Sequence, residues 1–314
     1  MDIDVQTPTS RIAVVGSCGI GLTLRMDRVP AAGETVTGAA FSGGPGGKGS
    51  NQAIAARRLG VATDLFSIVG DDDHGRELRA LWEAEGVGHE FVLVGRQHTM
   101  VGAILVERSG ENRIVVAPGV LEELTPDALA VFAPTIESSA ALLANLEIPV
   151  DVTLAALVRG RAAGVTTVLN PAPASLLPPD AWASIDHLTP NRSEAGVLTR
   201  LPQNARPQEL ADALRRRFAG TIVLTLGAEG VLVESGGVRE HIPSPGVGRT
   251  VDTTGAGDAF SAAYTVALSE DATPLEAARF AARAGAFTVT RPEVIPALPY
   301  RADLETHSIR VAST

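Results

Sequence analysis

Between residues 140 and 287 the chain alternates short apolar runs with longer amphipathic stretches, and each apolar run stops at a polar or glycine-rich turn. Short apolar runs read as buried strands, and apolar residues three or four apart read as helices. The expected order is strand 140–146 ending in Glu147, helix 151–163, strand 166–169 ending in Asn170, and strand 185–188 leading to Asn191. Helix 207–218, strand 221–226 ending in Gly227, and helix 275–287 follow. Alternating βα units predict an α/β fold with a doubly wound, mainly parallel sheet and helices on both faces. Ligands of such sheets bind outside the carboxyl ends of the strands, where this polar punctuation falls.

One such turn carries chemistry of its own. In Val251 to Phe260 (VDTTGAGDAF), Gly255, Ala256 and Gly257 precede a helix expected over 258–268. The first N–H groups of a helix lack intrahelical partners and sit at the positive end of its dipole, so a bare turn there can close around an anion. Asp258 stands at the edge of that cradle. A base beside an anion hole is what phosphoryl transfer to an alcohol requires. A helix start is also expected to lower the pKa of Asp258. The competing account is that Asp258 only caps the helix.

Upstream, a strand is expected over 11–17. The glycines from Gly16 to Gly21 do not open a helix as a dinucleotide fingerprint would. Alternation from residue 21 to 41, and a hairpin from 99–106 to 113–117, predict one small sheet built from about 19–45 and 98–118. Residues 43–52 read as a glycine turn entering a helix over 50–59, with Lys48 and Asn51 able to face a ligand. The turn departs from a Walker A loop, because Gly49 stands where Ser or Thr should follow the lysine. A strand over 63–70 and helices over 74–85 and 126–132 complete the reading.

With 314 residues, 45% of them hydrophobic, one large α/β domain can form over 11–314 after a polar tail at 1–10. The net charge of −10 argues against nucleic-acid binding through a basic face. Cys18 is the only cysteine, so no intrachain disulfide is possible. The histidines are scattered without ligand spacing, and no apolar run reaches bilayer length. A cytoplasmic protein with no membrane partner is expected.

Five stretches together resemble the ribokinase-like (PfkB) carbohydrate kinases, the ribokinase branch in particular: GGKGSNQAIAARRLG at 46–60, NPAPA at 170–174, TPNRSEAGVLT at 189–199, LTLGAEG at 224–230 and DTTGAGDAF at 252–260. The resemblance implies a three-layer α/β domain with a small β-sheet lid, an ATP-dependent sugar kinase, Mg²⁺, and a homodimer joined through the lid. It implies that Asp258 is the catalytic base and that Gly255, Ala256 and Gly257 form the anion hole. Gly47, Lys48, Gly49, Ser50, Asn51 and Glu147 would bind the sugar. Asn191 and Glu194 would organise Mg²⁺, partly through water, although an Asn-x-x-Glu pair also caps helices. Asn191, Thr225, Leu226, Gly227, Ala228, Glu229, Gly230 and Gly257 would contact the nucleotide. Asp252, Thr254, Thr288, Arg291 and Glu293 fall at the place of a K⁺ site, although Glu293 and Ala297 stand where Gly and Ser are usual.

The sugar site departs from the pattern at Gly19 and Gly21, which replace the usual Asn-x-Asp. Two hydrogen-bonding side chains become none, which puts ribose itself in question. Either Arg25 or Asp27, placed with Gly21 on one strand face, compensates, or the acceptor is bulkier, differently decorated or anionic. A nucleoside kinase and a non-catalytic sugar or nucleotide sensor are the alternative functions.

Overall fold

The computed structural model describes residues 10–306 apart from 110, 203, 247 and 248. The expected tail therefore lies, Ser10 excepted, outside the described residues, as does Gly110 of the hairpin turn. In chain order the strands are β1 (Arg11–Val15), β2 (Gly19–Met26), β3 (Ala40–Gly46), β4 (Ala62–Phe66), β5 (Ile68–Gly70), β6 (Leu93–Gly95), β7 (Val101–Glu107) and β8 (Asn112–Ala117). They continue with β9 (Ala141–Asn145), β10 (Thr166–Asn170), β11 (His187–Leu188), β12 (Thr221–Thr225), β13 (Val231–Ser235) and β14 (Val238–Ile242). The α-helices are α1 (Lys48–Arg58), α2 (Asp73–Glu85), α3 (Ala133–Ser138), α4 (Val150–Ala162), α5 (Arg192–Thr199), α6 (Pro207–Arg215), α7 (Ala256–Ser269), α8 (Pro274–Thr288) and α9 (Arg301–Thr306).

Eight strands form the main sheet in the order β14-β13-β12-β11-β10-β9-β1-β4. It is parallel from β12 to β4, and β13 and β14 are antiparallel. Ile12 and Val14 pack with α1, α7 and α8 on one face, while Ala13 and Val15 pack with α3, α4 and α6 on the other. A strand buried on both sides reads as a continuous apolar run, which is why the three layers show in the sequence. Each fully buried Leu, Val or Ile contributes about 1.5–3 kcal/mol relative to exposure. The small sheet, in the order β3-β2-β7-β8, comes from the segments expected for a lid. No helix among the described residues is long and apolar enough to cross a membrane.

Several local expectations are corrected. The glycines at 43–46 are not a turn but the end of β3, an edge strand that tolerates Pro45 because its outer N–H row needs no ladder partner. The run 63–70 is two strands in two sheets, broken at Ser67, whose carbonyl accepts the N–H of Leu93 (3.0 Å). The helix expected over 126–132 is a 3₁₀ turn at Pro126–Val131 followed by α3. Pro134, lacking an N–H, prevents one continuous α-helix there. The hairpin β13–β14 is not among the expected elements, although Gly236 and Gly237, both at positive φ, make the two-residue turn such hairpins favour.

Candidate active site

Two helix starts meet at the carboxyl ends of the central strands. Gly47 enters α1 at φ 87°, and a Cβ there would lie 2.5 Å from Cα of Cys18. The N–H of Ser50 donates to the carbonyl of Ser17 (2.9 Å), and Trp82 Nε1 donates to Ser50 Oγ (2.8 Å). The first turn of α1 is thereby seated on the exit of β1. Gly255 enters α7 at φ 80°, a left-handed conformation that disfavours any Cβ. Ala256 N–H closes the turn onto Thr253 O (3.3 Å), and the first bond of the helical ladder runs from Ala259 N–H to Gly255 O (2.9 Å). The N–H groups of Gly257 and Asp258 lie ahead of that ladder. A Cβ at Gly257 would meet nothing within 4 Å, so the front of the turn is open.

Asp258, the third residue of α7, makes no cap and is 7% exposed. The capping account therefore fails. Its carboxylate turns to α1 instead, accepting from Asn51 Nδ2 (2.8 Å) and Gln52 Nε2 (3.1 Å). Gln52 Nε2 also donates to Asn170 Oδ1 (3.0 Å), and Gln52 Oε1 accepts from Asn145 Nδ2 (3.4 Å). Amides from the ends of β9 and β10 thus fix the group that fixes Asp258. Burial raises the pKa of Asp258, against the ammonium of Lys48 and the amide bonds. This corrects the expected lowering, because desolvation outweighs the helix dipole in this position. Lys48 is raised in turn, chiefly by the charge of Asp258. Asn51 Oδ1 is buried and has no partner among the described residues, leaving an acceptor for a ligand hydroxyl.

Glu147 lies half-buried just past β9. Its Oε2 accepts from Ser17 Oγ and from the backbone N–H of Lys48 (2.9 Å), and its own N–H donates to Asn145 Oδ1 (3.2 Å). Asn191 and Glu194 form a capping box at the start of α5 (2.7 and 2.8 Å). Burial also raises the pKa of Glu194, which lies within the fields of Lys48 and Asp258. Thr225 N–H bonds Pro190 O (2.9 Å), and Arg192 pairs with Glu229 (2.8 Å). These contacts join the Asn191 turn to the loop Thr225, Leu226, Gly227, Ala228, Glu229 and Gly230, which closes through Leu226 N–H to Gly230 O (2.8 Å).

The five residues of the expected cation site also lie together. Asp252 accepts from the N–H (2.9 Å) and hydroxyl (2.7 Å) of Thr254 and from the N–H of Glu293. Its own N–H and that of Val251 donate to Val289 O, between Thr288 and Arg291. Burial works to raise the Asp252 carboxyl, but the Thr254 and Glu293 bonds and nearby Arg25 hold it below the usual range. The Arg25 guanidinium stands 3.9 Å from it. Asp27 does not share the face of Gly21. It lies beyond the end of β2 and pairs with Arg108 at the surface.

Sequence reasoning gave no role to Ser17, Gln52 or Asn145. Their signal was position alone: each is a polar residue at or facing the carboxyl end of a buried strand.

A sequence profile described as pfkB family carbohydrate kinase matches residues 9–301. The chain is 36% identical over 295 residues to a ribokinase of Bacillus subtilis, covering 94% of this chain and 98% of that one. A ribokinase structure from Thermotoga maritima superposes with a TM-score of 0.84 at 31% identity, covering 94% of this chain and 98% of that one. An Arabidopsis thaliana ribokinase complexed with ribose and ATP superposes at 0.85 with 26% identity, covering 95% and 98%.

Proposed function

The chain belongs to the pfkB family of carbohydrate kinases, phosphotransferases that act on an alcohol group, and from that premise we propose that it moves the γ-phosphoryl of ATP to a hydroxyl of a small sugar or sugar-like alcohol. The observation that carries the assignment of roles is the buried Asp258 carboxylate, held by Asn51 and Gln52 beside the open N–H groups of the α7 start. In this reading Asp258 takes the proton of the attacking hydroxyl. The N–H groups at Gly257 and Asp258 steady the phosphoryl oxygens as charge gathers on them. The turn from Gly47 to Asn51, with Glu147 behind it, positions the acceptor, and the loop Thr225 to Gly230 receives the nucleotide. Positioning supplies most of the rate, because phosphoryl transfer asks little covalent chemistry of the protein. Acceptor-dependent release of ADP over a panel of sugars tests the proposal, and no release with any of them would end it.

Mg²⁺ would neutralise phosphate charge. One oxygen of Glu194 is spent in the capping box, and burial raises its carboxyl against the Asn191 bond and the charge of Lys48. Those residues fit an ion held mostly by phosphates and water. K⁺ would be held at the Asp252 carboxylate beside the turn from Thr288 to Arg291, but Arg25 already brings positive charge near that carboxylate. Turnover is expected to be faster in K⁺ than in tetramethylammonium at equal ionic strength, and Arg25→Met should widen the gap. Equal rates in the two salts would retire the site.

One face of the small sheet exposes Phe41 and Val115, each 67% accessible, while Ile114 and Val116 are exposed on the other face. Such a patch on a lid supports pairing with a second copy of the chain. Sedimentation velocity should return a dimer, and a monomer across the micromolar range would count against it.

A further inference from the structure

Arg58 closes α1 at the end opposite the Gly47 turn, about 15 Å away at the usual helical rise, yet its side chain is only 8% exposed. Its Nε and Nη2 donate to the two carboxylate oxygens of Glu85, the last residue of α2 (2.8 and 2.6 Å). Its Nη1 donates to the carbonyls of Ile295 (2.7 Å) and Leu298 (2.8 Å), and the guanidinium stands 4.7 Å from the centre of the Tyr300 ring. A guanidinium taken out of water is costly unless its fork of donors is filled, and here main-chain carbonyls fill half of it.

Those two carbonyls bracket the 3₁₀ turn Ile295–Ala297, and the residues just ahead of that turn touch the anion loop. Val294 backs Gly255: a Cβ on the glycine would lie 2.8 Å from Val294 Cγ1. Ala297 N–H closes the turn onto Val294 O (3.0 Å), so Val294 moves with the carbonyls that Arg58 holds. Glu293 donates its N–H to Asp252 at φ 65°, left-handed backbone that a residue with a side chain rarely adopts. Such a conformation persists where its surroundings over-determine it. Asp252 holds the segment on one side and Arg58 on the other. α1 therefore reaches the site from both ends, since its first turn holds Asp258 through Asn51 and Gln52.

We propose that Arg58 is a positioning residue for phosphoryl transfer: by holding residues 293–298 against Gly255 it sets the anion turn at its working distance from Asp258. The inference rests on the kinase reading and adds a residue that touches neither ligand. Donors of an anion hole act only when aimed at the place where charge develops. Without the guanidinium the two carbonyls turn to water, Glu293 is free to leave its left-handed conformation, and Val294 draws back from Gly255. A displacement of about 1 Å at such a site costs about 10²-fold in rate.

The test reads the anion turn itself. With Mg²⁺ and whichever sugar supports ADP release, affinity is measured for ADP alone and for ADP with aluminium tetrafluoride, which takes the place of the phosphoryl in flight. Arg58→Met should lower both kcat and the fluoride-dependent gain in affinity by about tenfold or more, with Kd for ADP alone and KM for the sugar within about twofold of wild type. Arg301→Met is the control. Arg301 donates to the carbonyl of Leu59 (2.6 Å) and pairs with Glu270, so its loss loosens α9 from the same end of α1 without touching residues 293–298. It should keep both kcat and the gain. Val294→Ala removes the methyl groups that back Gly255, should lower kcat and the gain by a smaller factor, and decides the matter if Arg58→Met does not fold. A gain and kcat unchanged in Arg58→Met, or in Val294→Ala where only that variant folds, would overturn the inference while the kinase reading stands. An equal loss in Arg301→Met would do the same. No ADP release from wild type with any sugar, or no gain from fluoride, would remove the anion-turn reading and the inference with it.

Discussion

Asp258→Asn is expected to lower kcat by two or more orders of magnitude while nucleotide affinity stays near the wild-type value. The substitution keeps the shape of the side chain and removes only its capacity to take a proton. It also leaves a packed site. The new amide can donate to Asn51 Oδ1, which is buried without a partner, once the Asn51 carboxamide turns over. Stability gives an independent readout with a definite sign. Because burial raises the folded-state pKa of Asp258, its ionised form opposes folding, and that cost disappears as pH falls below the raised value. At neutral pH the variant should melt no lower than wild type, and it should lack the gain that acidification gives wild type through this group. The rate follows the same titration in the opposite sense, since only the ionised form is a base. Wild-type kcat/KM should fall on acidification along a limb displaced above the ordinary aspartate pKa of about 3.9. Turnover retained in the variant, or an acid limb unmoved by it, would remove Asp258 from the role of base.

Local chemistry was the legible part of this chain, and neighbours distant in sequence were not. The bare turn at Gly255 to Gly257 and the strand ends at Glu147, Asn170 and Asn191 can be placed from periodicity and turn residues, because each is a property of one short stretch. The direction of the Asp258 pKa could not be read that way. The helix start is local and argues for lowering, whereas the burial that prevails is assembled by α1, β9 and β10. Gly19 reads in the sequence only as a lost hydrogen-bonding side chain, whereas in the fold its place is filled by Met100, the residue ahead of β7. Asp27 was assigned a face by counting in twos, but a strand's period does not announce where the strand stops. β2 ends at Met26, and the carboxylate turns to Arg108. Gln52 is the clearest miss. It lies inside the stretch 46–60 and touches Asp258, Asn170 and Asn145, yet nothing in the sequence sets it apart from an ordinary buried polar residue on a helix.

Gly49→Ala adds one methyl group and is expected to destabilise the fold by about 1–3 kcal/mol and to cut turnover by about 10²-fold. The added Cβ would lie 2.6 Å from the carbonyl carbon of Gly16, 2.8 Å from its Cα and 2.7 Å from the carbonyl oxygen of Ser17. All three are backbone atoms at the exit of β1, so no rotamer change relieves the contact. The first turn of α1 must lift away until the carbon atoms stand about 3.5 Å apart, a movement approaching 1 Å. That movement stretches the Ser50–Ser17 bond and the Lys48–Glu147 bond, and it carries Asn51 and Gln52 off Asp258. A loss of both stability and kcat therefore follows from one displacement, and differential scanning fluorimetry beside an ADP-release assay measures the two together. Gly246→Ala is the control, because a Cβ there meets nothing within 4 Å, and it should melt and turn over like wild type. A Gly49→Ala protein that melted like the control at full activity would mean that the α1 start is not held against β1. One that melted low but kept its rate would detach the seating of α1 from the positioning of Asp258, and the argument that the Asn51 and Gln52 amides orient the base would go with it.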